Sequence, residues 1–147
     1  MNRIKRRNRF RNYLSIQVFV FVGVMTVFQV ITDRAIASLA ASSLFFLGSA
    51  SVLLIEQKHP GFFKRPSFVM TAAFLLFFVI PIFLMSVLNW GQEFATIEYF
   101  GITGKMLHET SSKFFVVMLA TYFADSILEK NRALIADQSP QEKEIKN

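Results

Sequence analysis

Residues 35–55, AIASLAASSLFFLGSASVLLI, run for 21 positions without a charge. As an α-helix such a segment is about 31 Å long, the thickness of the roughly 30 Å hydrocarbon core of a bilayer. Within it, 11 of the 17 residues from 35 to 51 are Ala, Ser or Gly, and small side chains let helix backbones approach closely where the hydrophobic effect no longer drives association. The segment therefore reads as the packing hub of a helical membrane protein. Ala37, Ala41, Leu44, Gly48 and Ser51 follow a 4-3-4-3 spacing that suits a close helix–helix seam, with Ser38, Ser42 and Ser49 on the adjacent stripe. That seam is open to a partner within the chain or to another subunit.

Three further segments complete the set. Residues 13–31 and 68–88 are again uncharged, over 19 and 21 positions. A soluble domain of 147 residues has no means of burying several such runs, whereas a bilayer accepts them. The fourth segment is weaker: residues 114–124 are uncharged, and extending to 109–129 admits Lys113 and Asp125 near its ends. Its alternative is a helix that inserts only halfway. The expected fold is all-α: a polytopic membrane protein with four transmembrane helices in an antiparallel bundle.

The connections are short. Thr32, Asp33 and Arg34 force the first two spans into a hairpin, and residues 56–67 carry the proline and glycine of a loop. Pro81 lies inside the third span and removes one helical hydrogen bond, so a kink is expected there. Over residues 90–100 two readings compete. Trp90, Phe94 and Ile97 share one face of a short interfacial helix; the same residues suit a loop anchored in the aromatic belt by Trp90. From Lys130 onward the chain is polar, mixed in charge and broken by Pro140, and its last ten residues read as disordered.

Basic residues give the orientation. An even number of spans puts both termini and the central loop on one side. That side holds 13 Lys and Arg against three on the other, Arg34, Lys105 and Lys113. The positive-inside rule then places both termini in the cytoplasm. The six basic residues among the first 12 are explained by retention and by anionic lipid headgroups, and nucleic acid is not an expected partner. No N-x-S/T sequon occurs and the loops are short, which fits a bacterial inner membrane.

Chemistry is sparse. No Walker A, G-x-S-x-G, H-E-x-x-H or dinucleotide motif is present, and the absence of cysteine excludes disulfides, thiol catalysis and Cys-ligated metal. The first three spans hold no ionisable residue, which argues against a pump built on a central carboxylate. Four polar positions stand out. Gln29 is placed to hydrogen-bond to the small-residue helix. His108 and Glu109 begin the fourth span but offer too few ligands for a metal site. Asp125, one turn inside the far end of that span, reads as an interfacial carboxylate reaching headgroup water. No cofactor is expected. The reading that follows is an accessory, scaffold or assembly subunit without catalysis, bound to other membrane subunits or to itself. A small channel or transporter lined by the second-span serines is the alternative, and a lipid-modifying enzyme using His108 and Glu109 is the third.

Overall fold

A computed structural model describes residues 3–57 and 65–138. Lys58, His59 and Lys64 of the central loop, and the tail from residue 139 onward, lie outside the described residues. Among the described residues, four helices are long and apolar enough to cross a membrane: α1 (Arg3–Val30), α2 (Arg34–Glu56), α3 (Pro66–Leu88) and α4 (Gly104–Gln138). They form an antiparallel bundle in which α2 packs against α1 and α3, and α4 packs against α3 and α1. The fourth span is one continuous helix of 35 residues, about 52 Å by its rise, and residues 130–138 belong to it.

Each helix start has a cause. The Asp33 carboxylate accepts from the Ala35 and Ile36 amides at 2.9 and 3.2 Å, which caps α2 and turns the chain tightly back from α1. Pro66 opens α3 at a position where no amide is needed. The next amide, Ser67 N–H, donates to Asp125 Oδ2 of α4 at 3.2 Å. Asp125 is 7% exposed, so it does not reach headgroup water as the sequence led us to expect; it caps a neighbouring helix. Replacing Asp125 with alanine would leave a buried amide without an acceptor and should lower stability by about 1–3 kcal/mol. Chemical or thermal unfolding in detergent measures this, and unchanged unfolding would contradict the assigned contact.

Pro81 acts through the turn before it. Residues Leu75–Val79 form a π-helical turn, in which the Ile80 amide reaches back five residues to the Leu75 carbonyl. The wider turn relieves the clash between a proline ring and the carbonyl four residues earlier.

The small-residue face of α2 is consumed inside the bundle. Ala37, Ala41 and Gly48 are buried, and Gly48 lies against Val20 of α1. Ser51 departs from this pattern: it is exposed and its hydroxyl donates to the Leu47 carbonyl at 2.6 Å. The buried stripe runs from Gly48 to Val52 and Glu56 instead. Phe68 and Phe74 of α3 are core residues at 1% and 2% exposure.

Of the two readings of residues 90–100, the interfacial helix does not form. A 3-10 turn (Phe94–Thr96) leads into a two-stranded hairpin, β1 (Glu98–Tyr99) and β2 (Ile102–Thr103). Phe100 and Gly101 make its turn at φ 54° and 78°, the positive values a two-residue hairpin of this kind requires. Asn89 Nδ2 donates to the Tyr99 hydroxyl at 3.0 Å, and the Gly104 amide donates to the Ile97 carbonyl at 2.8 Å, so the hairpin is fastened to both flanking helices.

Candidate functional site

The bundle is divided by a layer of aromatic rings near its middle. Phe45 of α2, Phe74 of α3 and Phe115 of α4 meet pairwise with centroids 5.1–5.5 Å apart, and Phe21 of α1 stacks on Phe115 at 5.4 Å. The two sides of this layer differ.

On the side of the termini the core is filled and polar. Tyr13 of α1 donates to Glu56 of α2, and both are buried. Thr71 and Tyr122 share a hydrogen bond of 2.7 Å between α3 and α4. Thr71 also donates to the Ser67 carbonyl at 2.8 Å, which leaves Tyr122 as the donor in the shared bond. Arg65 and Glu129 pair at 3.5 Å at the edge. Gln17, one turn above Tyr13, is fully buried, and neither of its amide atoms has a partner among the described residues; the same holds for the hydroxyls of Ser49 and Ser67.

On the other side lies a cavity of about 550 Å³, within the size range of small-molecule sites. The aromatic layer is its floor. Its rim carries charge from Arg34, Lys105 and Glu93, with His108 beside them. From Arg34 to Phe45 along α2 is 11 residues, about 16 Å. The cavity therefore reaches through roughly half of a 30 Å hydrocarbon core. Ser38, Ser42, Ser111 and Ser112 line the wall between rim and floor. Each of their hydroxyl hydrogens is already engaged: Ser38 bonds to Ser86 of α3 at 3.0 Å, and the others donate to backbone carbonyls of their own helices at 2.8–3.0 Å. An apolar group can pass this wall without stripping any donor of its partner.

The residues singled out in the sequence fall on different parts of this frame. His108 is on the rim, exposed, with its ring edge-on to Phe28 at 6.2 Å. Glu109 is exposed and is not part of the cavity lining, so the pair does not converge on one space. Among the described residues no group of three or more His, Cys, Asp or Glu is placed to hold a metal. Gln29 is exposed rather than packed against α2; the buried glutamine of α1 is Gln17. Of the second-span serines, Ser38 and Ser42 line the cavity, while Ser49 is not part of its lining. Glu56 opens the segment whose composition suits a loop, yet it ends α2 as a buried hydrogen-bonded carboxylate. Its position seven residues beyond Ser49 on the inward stripe was the available signal.

Fold and cavity together define a multi-pass, four-helix membrane bundle with a pocket open at the end away from the termini. No protein-family model, curated protein or solved structure matches the chain.

Proposed function

We propose that the protein is an accessory subunit of a bacterial inner membrane, without catalysis of its own, that works by holding an amphiphilic ligand in this cavity. One observation carries the reading: a 550 Å³ space joins a charged rim to an aromatic floor over about half the membrane. In this reading both termini are cytoplasmic, supported by the 13-to-three distribution of basic residues, and the cavity faces the opposite compartment. The basic N-terminus lies against anionic headgroups. Contact with other membrane subunits is supported by α4, whose Leu134 and Ile135 stay exposed at the overhanging end of a helix longer than the bilayer needs.

The chain has no cysteine, so single-cysteine labelling is clean. In detergent, where bound lipid is displaced, a Ser42→Cys variant should react with a small thiol reagent, and a Ser49→Cys variant should not. Equal reactivity at the two positions would rule out the cavity reading, and labelling of a His108→Cys rim variant in intact spheroplasts only from the cytoplasmic side would reverse the orientation. Mild detergent extraction should bring a partner subunit along; a strictly monomeric protein would count against the accessory role.

A channel or transporter is the second reading, favoured by Ser38 and Ser42 on the cavity wall. It requires the Phe45–Phe74–Phe115 layer to part.

A further inference from the structure

The ligand class follows from where the cavity opens, and this inference rests on the cavity reading above. Met25 of α1 and Ser112 of α4 both line the cavity, and both are exposed. Their exposure points to an opening of the cavity along the α1–α4 side. Two ring contacts bracket that opening: Phe21 on Phe115 towards the floor, Phe28 on His108 towards the rim. Between them α4 presents only the small side chains of Ser111 and Ser112 to the cavity, which leaves room for a chain to enter between the two rings.

We infer that the cavity takes one acyl chain of an anionic phospholipid, drawn sideways from the surrounding leaflet, with the phosphate at the Arg34–Lys105–His108 rim. Three observations converge. A space about 15–16 Å deep matches one leaflet's hydrocarbon, half of the roughly 30 Å core. The wall is apolar or has its donors satisfied internally, as a methylene chain requires. The rim carries Arg34 and Lys105 in the first turns of α2 and α4, where cations are unfavourable to the helices themselves, so helix stability does not explain their placement. With Glu93 as the one carboxylate among the described residues lining the cavity, the balance of Arg34, Lys105 and Glu93 is positive and suits a phosphodiester.

The test uses the full-length Ser42→Cys protein in nanodiscs of phosphatidylcholine, with or without phosphatidylglycerol, and reads the rate of thiol labelling. Phosphatidylglycerol should slow labelling, and removing rim charge with Arg34→Gln or Lys105→Gln should weaken that protection by about fivefold per charge. A Ser112→Phe change, which plugs the opening between the rings, should abolish protection while the rim stays open to the reagent. Native mass spectrometry of the unmodified chain should show one retained phosphatidylglycerol in preference to phosphatidylcholine. Rapid labelling unaffected by lipid composition overturns the phospholipid inference and leaves an accessible cavity standing. Protection by added oleate but not by phosphatidylglycerol overturns it in favour of a free fatty acid. A cysteine at position 42 that is unreactive in every preparation, including detergent, overturns the cavity reading itself.

Discussion

Replacing Gly104 with alanine is expected to lift the hairpin off the start of α4. A β-carbon at this position would lie 1.9 Å from the Phe94 carbonyl oxygen and 2.9 Å from its carbon. Both are backbone atoms, so no side-chain rotation relieves the overlap and the segment from Phe94 to Thr103 has to move. That movement also stretches the bond from the Gly104 amide to the Ile97 carbonyl. Overpacking typically costs about 1–3 kcal/mol, and a lost buried hydrogen bond adds about 1 kcal/mol. Because Glu93 and Phe94 line the cavity, its rim loses one wall. Limited proteolysis should show new cleavage between residues 90 and 104, with the four helices intact. Cleavage no faster than in the unmodified protein would show that the junction tolerates a β-carbon.

Gly48→Leu is expected to force α1 and α2 apart. Even the first carbon of the new side chain would sit 2.6 Å from Val20 Cγ2. Val20 is buried and β-branched, so it has little freedom to turn away. A loss of about 3 kcal/mol is expected at the upper end of overpacking penalties, visible as a lower unfolding midpoint in detergent. Val20→Ala removes the two methyl groups in the way and should restore part of the loss in the double variant. Simple additivity of the two changes would mean that this contact is not the cause.

Much of the bundle was legible because the membrane restricts the choices. Four apolar runs separated by short connections leave little alternative to an antiparallel helical bundle, and Ala37, Ala41 and Gly48 were legible as a seam because small residues recur on one face. Ser51 misled because the buried stripe advances by four residues after Gly48, to Val52, and a strict 4-3 alternation does not anticipate that drift. Over residues 90–100, Trp90, Phe94 and Ile97 imitate a helical face for barely three turns. The competing signal was local: β-branched and aromatic residues on either side of Phe100–Gly101, with a glycine where positive φ is needed. The cavity was not legible. It exists because side chains from four helices fail to fill a space between them, and nothing within one helix records that. Asp125 was misjudged for the same reason, since its acceptor role depends on the Ser67 amide 58 positions away.

The π turn of α3 has a consequence for descent. Phe74 and Val79 are both buried, five residues apart, and from Val79 the inward face continues at Ser86, which bonds across to Ser38. The two halves of the helix thus run in different phases, offset by the one extra residue that the turn accommodates. A homologue with no proline at position 81 has no need of that residue. Its sequence should align with α3 on either side of a one-residue deletion within 75–79, both inward faces preserved, whereas a deletion elsewhere in the helix would rotate half of it out of register with α2 and α4.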